Sequence, residues 1–425
     1  MAEAGVERER VILAGADLGD DREFEYSIKE LRGLADACEM ETVGVLTQKM
    51  DKPDKALCIG RGKAEELREF AEHMEADMII FDNALTPSQL RNLQQIIGKP
   101  VMDRTALILE IFSARAGTRE ARLQVESARL QYLLPRLVGM HAALSRQGGG
   151  SGLANKGAGE KKLELDRRRI EDRLAKLRRE LDGVSQERRT QRKKRQASSL
   201  PLVALAGYTN AGKSTLMNGL LEHYGQEEGR GVLAEDKLFA TLDTTVRKIS
   251  LPDNRHFLLS DTVGFIHKLP TGLVRAFRST LEEIRHADLI LHVVDYADEN
   301  YRNQMEVTRK TLSELECSQI PVIYVMNKAD LCMDDYPRVQ GDDRIYMAAG
   351  QGAGLAMLAE LISGKLFGSY RQTTFLIPYE QGQIMSYLME HTLSCKTEYM
   401  EQGIRVTALC SREDCDRYEK YRVTG

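Results

Sequence analysis

Leu202-Val203-Ala204-Leu205-Ala206-Gly207-Tyr208-Thr209-Asn210-Ala211-Gly212-Lys213-Ser214 carries an apolar run into a Gly-x-x-x-x-Gly-Lys-Ser loop. Leu202–Ala206 is short and continuously apolar, as in a strand buried on both faces. Ser214–Leu221 then reads as a helix, so the loop sits where a strand gives way to a helix N-terminus. Backbone N–H groups in that position should wrap a β-phosphate. Lys213 should neutralise the β and γ oxygens, and the Ser214 hydroxyl should ligate Mg2+. The candidate phosphate-binding residues are therefore Gly207, Tyr208, Thr209, Asn210, Ala211, Gly212, Lys213, Ser214 and Thr215.

Downstream, the strand Pro321–Met326 ends in Asn327-Lys328-Ala329-Asp330. A carboxylate at Asp330 can accept from both N1–H and N2–H2 of guanine, whereas adenine would leave it unpaired. Between the two motifs, the strand His256–Ser260 leads into Asp261-Thr262-Val263-Gly264. Asp261 is placed to hold Mg2+ through water, and the Gly264 amide can meet a γ-phosphate. After Phe239-Ala240-Thr241-Leu242-Asp243 come Thr244 and Thr245. One of this pair should reach the metal, with Thr245 favoured, although a strand edge would use the same residues. Met347-Ala348-Ala349-Gly350 offers a backbone amide to guanine O6.

Upstream, residues 1–102 alternate strand candidates (Arg10–Ala14, Val43–Thr47, Met78–Phe81, Pro100–Met102) with helical stretches (Glu23–Cys38, Lys63–His73, Pro87–Ile97). That alternation predicts a small parallel α/β domain. Thr86-Pro87 fits an N-cap with proline at the first helical position. Residues 103–196 read as two long helices. The first should kink or end near Pro135. The second spaces Leu163, Ile170, Leu174, Leu177, Leu181 and Val184 as a coiled-coil seam. They should fold back as an antiparallel hairpin. Its connection, residues 146–160, holds six glycines and reads as a loop, either a plain linker or a tip that orders on phosphates. Residues 197–370 form the nucleotide domain. Residues 371–425 should be a small α+β domain, with strands at Thr374–Ile377 and Ile404–Leu409 and a helix at Gly382–His391.

Charge separates these segments. Arg115–Arg195 holds 22 Lys and Arg against 10 Asp and Glu, an excess of +12 on a chain of net −4, leaving −16 elsewhere. A basic block on an acidic protein suggests a localised polyanion contact. With 42% hydrophobic residues the chain can bury real cores, yet no apolar run approaches the roughly 20 residues of a membrane span. Met1–Arg10 lacks the apolar centre of a secretory signal, and the seven cysteines lack ligand-spaced histidines. A cytoplasmic monomer is expected. Peripheral association with a membrane stays open.

In these motifs the chain resembles HflX-type GTPases, ribosome-associated relatives of the Obg, Era and MnmE GTPases. The resemblance rests on Phe239-Ala240-Thr241-Leu242-Asp243, Asp261-Thr262-Val263-Gly264-Phe265-Ile266, Gly60-Arg61-Gly62-Lys63, Phe81-Asp82-Asn83 and Asp166-Arg167-Arg168-Arg169-Ile170. It implies a Ras-like P-loop G domain between an N-terminal α/β domain with a helical hairpin and a small C-terminal domain. It also implies hydrolysis of GTP to GDP, nucleotide contacts by Phe239, Thr262, Val263, Lys328, Ala348 and Ala349, and Lys213, Thr245 and Gly264 in catalysis. The implied partner is the large ribosomal subunit, with Arg146, Lys156, Arg167, Arg168 and Arg169 on rRNA and the splitting of stalled ribosomes or subunit assembly as roles. A nucleotide-gated binding module with incidental hydrolysis is the alternative.

The chain departs from the family pattern at Thr244, where proline is usual, at Asn155-Lys156-Gly157-Ala158-Gly159-Glu160 in the glycine loop, and at Ala348 for serine. Phe265 stands where Ras-type enzymes carry the water-orienting glutamine, so isolated turnover should be slow. In potassium-using relatives an asparagine at the place of Asn210 ligates K+; here either that role or stabilisation of its own turn is open. Gly60-Arg61-Gly62-Lys63 reads as an anion-binding or packing turn.

Overall fold

The computed structural model describes residues 8–19, 21–147, 153–197, 200–225, 239, 245–252, 255–268 and 283–423. The chain divides into two compact units. The first comprises Met1–Arg188, Glu235–Asp243 and Ile266–Ser279, and the second Arg189–Ala234, Thr244–Phe265 and Thr280–Gly425.

In the first unit β1 (Arg10–Asp17), β2 (Glu41–Lys49), β3 (Met78–Phe81) and β4 (Val101–Asp103) form a parallel sheet in the order β2-β1-β3-β4. Crossover helices α1 (Asp21–Ala37), α2 (Arg61–His73) and α3 (Pro87–Ile97) join them. Alternation of β-branched and aliphatic runs with amphipathic helices produces this layering, and Ile12, Leu67, Ile79, Phe81 and Leu93 make its core. The start of α3 is set by Thr86, whose hydroxyl accepts from Gln89 N–H while the Gln89 side chain accepts from Thr86 N–H, with Pro87 at the first helical position.

Three helices follow: α4 (Arg104–Arg115), α5 (Arg119–Gln147) and α6 (Leu153–Ala197). Buried Asp103 caps α4 through Ala106 N–H and accepts from Tyr132 Oη at 2.8 Å and Arg136 Nη2 at 2.9 Å, tying α5 to the end of β4. The hairpin is antiparallel as expected. Arg173 clasps Glu126 through two 2.6 Å bonds, and seven residues further in opposite directions Arg119 lies 3.9 Å from Glu180. Leu174 and Leu177 of the seam are buried.

One expectation for this region is narrowed and another needs correction. Of the kink or end expected near Pro135, the end does not occur, and α5 runs on to Gln147. Arg136 stacks over the Tyr132 ring and donates Nη1 to the Tyr132 carbonyl at 2.9 Å, one residue past the Gln131 carbonyl that Pro135 leaves without a helical donor. The glycine segment is also less loop than its composition suggests, since α6 already starts at Leu153. Gly157 and Gly159 cost about 1 kcal/mol each against alanine, and a long cooperative helix can absorb that near its end. Gly148, Gly149, Gly150, Ser151 and Gly152 lie outside the described residues.

The second unit is built on a seven-stranded sheet. Its strands are β5 (Leu202–Gly207), β6 (Thr245–Ser250), β7 (His256–Asp261), β8 (Leu289–Asp295), β9 (Val322–Asn327), β10 (Arg338–Gln340) and β11 (Arg344–Tyr346), in the order β10-β11-β9-β8-β5-β7-β6. Only the two edge strands, β6 and β10, run antiparallel to their neighbours. Helices α7 (Lys213–Tyr224), α8 (Tyr301–Glu314) and α9 (Leu355–Phe367) belong to it, with a core of Val203, Leu205, Leu216, Leu259, Leu291, Val325 and Leu358.

The remainder forms a three-stranded antiparallel sheet, with β12 (Arg371–Ile377) and β13 (Leu393–Met400) flanking β14 (Gly403–Cys410). Helices α10 (Gly382–His391) and α11 (Arg412–Arg417) accompany it. This is the α+β segment expected from sequence, with β13 added. No helix among the described residues is long and apolar enough to cross a membrane.

Candidate nucleotide site

The central strands are parallel, so the loops that follow them gather at one edge of the sheet, where such folds bind ligands. Gly207 closes β5, Asp261 closes β7, Asp295 closes β8 and Asn327 closes β9. Register places Gly207 beside Val293 and Asp295 beside Asn327. Gly207 is required, because a Cβ there would sit 2.2 Å from the Val293 carbonyl oxygen.

The phosphate loop has the expected strand–loop–helix context. Asn210 adopts φ +61° and Gly212 φ +91°, left-handed turns that asparagine and glycine tolerate best. Asn210 is exposed, Tyr208, Thr209 and Ala211 are buried, and Thr215 lies in the first turn of α7. Lys213 is 7% exposed and donates Nζ to the carbonyls of Tyr208 at 2.7 Å and Gly207 at 3.2 Å. Burial pushes its ammonium down to about 8, with Asp261 pulling the other way.

Oxygen donors converge beside this lysine. The Ser214 hydroxyl donates to Asp261 Oδ2 at 2.8 Å, and Thr245, the first residue of β6, pairs in register with Asp261. Thr262 is fully buried and donates Oγ1 to the Leu205 carbonyl at 2.7 Å, fixing the end of β7, and Val263 is also buried. Gly264 packs against the loop so closely that a Cβ would lie 2.9 Å from both Lys213 Nζ and Thr209 Cα. Phe265 is 2% exposed. Its amide donates to the Gly207 carbonyl at 3.1 Å, and its carbonyl accepts Thr209 N–H at 2.8 Å.

The elements expected to read a base join the same edge. Asn327 donates Nδ2 to the Ala211 carbonyl and accepts Ala349 N–H at Oδ1, each at 2.9 Å. Lys328 sits at φ +59° with Nζ 2.7 Å from Asp295 Oδ2, and Asp330 accepts from Gln351 Nε2 at 3.0 Å. The Ala348 amide, for its part, goes to the Ala353 carbonyl at 3.1 Å. The Ala348 and Ala349 amides, from a loop expected to offer one amide to guanine O6, thus already have protein partners in this conformation. Sequence reasoning missed Asp295 and Gln351. Asp295 had a visible signal, an acid at the end of an apolar strand, but Gln351 had none.

Behind the loop, His292 on β8 is 3% exposed, and burial, with Lys213 adding to it, pushes its imidazole down to about 4. Other sequence candidates fall elsewhere. Phe239 belongs to the first unit, its ring edge-on to Phe112 at 4.7 Å between centroids. Thr244 lies outside the described residues. Arg146 and Lys156 fall within α5 and α6, and Arg167, Arg168 and Arg169 are exposed on α6, Arg167 paired to Glu171 and Arg169 to Asp166.

Three family models match: the N-terminal region of GTP-binding GTPases over residues 25–113, their middle region over 115–195, and a 50S ribosome-binding GTPase over 202–328. A GTPase HflX of Caldanaerobacter subterraneus is 43% identical over 100% of this chain and 96% of its own length. Another, from Alkalihalophilus pseudofirmus, is 44% identical over 91% of this chain and 89% of its own. A solved GTP-binding protein of Sulfolobus solfataricus in complex with GDP is 23% identical over 84% of this chain and 98% of that one, with a TM-score of 0.44.

Proposed function

Because this chain belongs to the HflX GTPase family, we propose that it hydrolyses GTP to GDP and phosphate and associates with the large ribosomal subunit. The observation that carries the reading is the Asn327 side chain, which hydrogen-bonds the phosphate loop on one side and the Ala348-Ala349 loop on the other. Phosphate binding and base reading are thereby held at a fixed spacing, as a guanine nucleotide requires.

Lys213 supplies the cation for the β and γ oxygens, and the Gly264 amide meets the γ-phosphate. Asp330 takes the two guanine donors, with Gln351 steadying its carboxylate. The site also fits Mg2+, a hard ion that takes hydroxyl and carboxylate oxygens and keeps waters. Ser214 and Thr245 would hold it directly and Asp261 through water. Bound there, it neutralises charge that develops on the phosphate oxygens. Phe265 has no group to orient water, which supports slow turnover in the isolated protein and stimulation by a partner. Asn210 remains a candidate ligand for K+.

The +12 hairpin is the proposed subunit contact, with an exposed basic run at Arg167–Arg169. GTP hydrolysis measured with and without purified large subunits tests the reading. Stimulation of roughly tenfold or more is expected, a modest share of what completing such a site can give. Equal rates would overturn the ribosomal part, and an absence of hydrolysis in both would overturn the enzymatic part.

A further inference from the structure

The carboxylate proposed to read guanine does not stand alone. Asp330 Oδ2 accepts from Gln351 Nε2 at 3.0 Å, and Gln351 Oε1 accepts from the Tyr336 hydroxyl at 3.1 Å. All three residues lie in the second unit. The direction of this relay is forced from its acidic end. A carboxylate only accepts, so the Gln351 amide must turn its nitrogen toward Asp330 and its oxygen toward Tyr336. A tyrosine hydroxyl can donate or accept, and here it donates.

Each member of the relay is mounted on a fixed part. The Tyr336 ring packs against a buried cluster of Val294, Met326, Ala329 and Tyr346. Ala329, immediately before Asp330, is fully buried in that cluster, so the tyrosine and the aspartate share one support. The loop carrying Gln351 is tied to the same place, because the Ala329 amide donates to the Met347 carbonyl at 3.1 Å. Within that loop, Met347-Ala348-Ala349-Gly350-Gln351-Gly352-Ala353, only Gln351 has a side chain able to donate.

The effect of such a relay follows from the freedom of an aspartate. Rotation of its carboxyl group is broad, so an unassisted carboxylate samples many planes. Guanine presents N1–H and N2–H2 side by side and meets a carboxylate one oxygen to each donor, which needs that group close to the base plane. A donor already fixed on Oδ2 narrows the rotation before nucleotide arrives. A carboxylate has about four acceptor positions, so Gln351 leaves room for both guanine donors.

We infer that Gln351 and Tyr336 are positioning residues for base specificity: holding the Asp330 carboxylate in one plane makes the N2 amino group of guanine count toward binding. The inference rests on the guanine-nucleotide reading above. Both residues act through Asp330.

Inosine diphosphate is the discriminating probe, since its base keeps N1–H and lacks the N2 amino group. Competition of GDP, inosine diphosphate and ADP against a fluorescent GDP analogue on the full chain measures the preference. Wild type should bind GDP roughly tenfold or more tighter than inosine diphosphate, the worth of one hydrogen bond to a charged group. Gln351→Met, similar in length but without a donor, should reduce that ratio at least threefold, mainly through weaker GDP binding. Gln351→Glu, nearly the same shape with an acceptor in place of the donor, should reduce it at least as far. Tyr336→Phe, which removes only the hydroxyl, should reduce it at least twofold. Gln351 is exposed, so its substitution spares the cores. A merely structural role would weaken both nucleotides alike and leave the ratio unchanged. A smaller fall than threefold in Gln351→Met, or equal binding of GDP and inosine diphosphate by wild type, overturns the inference. A smaller fall than twofold in Tyr336→Phe overturns the part assigned to the tyrosine. If wild type binds ADP as tightly as GDP, it is the underlying guanine reading that has failed.

Discussion

The Asn327 side-chain amide donates to the Ala211 carbonyl at 2.9 Å, so the end of β9 and the phosphate loop form one hydrogen-bonded piece. Asn327→Ala would strand both that carbonyl and the Ala349 amide in a buried place. Each stranded group costs about 1–3 kcal/mol. Affinity for GDP should fall at least tenfold, roughly 1.4 kcal/mol, as measured with a fluorescent analogue. Unchanged affinity would show that the two loops hold their spacing without it.

Gly264→Ala separates binding from turnover. The added methyl would meet Lys213 Nζ and the Thr209 backbone at 2.9 Å, so the segment must shift away from the γ-phosphate position. GDP has no γ-phosphate, so it does not draw on the Gly264 amide. Affinity for GDP should stay within about threefold while kcat falls on the order of a hundredfold, the loss typical of removing one transition-state donor. Parallel titrations and single-turnover assays would check this.

Much of this arrangement was legible in the sequence. The apolar run before Gly207 and the helix after it placed the phosphate loop, and Thr86-Pro87 marked the start of α3. Local patterns encode strands, turns and caps well because those depend on neighbours along the chain. What escaped depends on neighbours in space. Asp82 and Arg104 are 22 residues apart, and Asp82 and Lys268 are 186 apart, so no periodicity announces either pair. The edge strands β10 and β13 escaped for another reason. β10 is three exposed residues long and β13 mixes polar with apolar side chains, so neither has a buried face strong enough to read. Pro135 left a kink and an end equally open, because what carries α5 past it includes tertiary contacts such as Arg136 Nη2 to Asp103, invisible in one dimension.

Arg104→Met should be among the most destabilising substitutions in the first unit. It leaves Asp82 and Glu30 buried without the guanidinium that pairs with both. Loss of one partner from such a pair costs about 3–5 kcal/mol. A fall in Tm of roughly 10 °C is expected for a unit of this size. A shift under about 2 °C would mean the carboxylates find water or protons readily.

His292 sets a pH dependence. Its folded pKa, about 4, lies below the ordinary 6.5, so between these values the unfolded chain binds the extra proton. Stability from this group is therefore complete above pH 6.5 and is lost as pH falls toward 4. The slope reaches at most one proton, about 1.4 kcal/mol per pH unit. Urea melts of wild type and His292→Phe at pH 7.5, 6 and 5 should show the steeper decline in wild type. Parallel declines would assign the acid sensitivity elsewhere.

Reversing Arg167, Arg168 and Arg169 to glutamate should weaken large-subunit binding at least tenfold near 0.15 M salt and flatten its salt dependence. All three are exposed on α6, so GDP affinity should stay within twofold. Co-sedimentation across a salt series tests both halves. An unchanged salt slope would move the contact to other parts of the hairpin.

The clasp between Arg173 and Glu126 also makes the hairpin a measuring rod. From Arg173 back to Leu153, where α6 begins, there are 20 residues of helix, and at 1.5 Å each they project about 30 Å beyond the clasp. Reach is thus encoded in residue count, separately from charge. Inserting seven residues into each arm would lengthen it by about 10 Å and keep the same faces aligned, whereas inserting four would turn the arginine face by about 40° with half the gain in length. What the protein can touch is then fixed as much by the number of helical turns as by the side chains they carry.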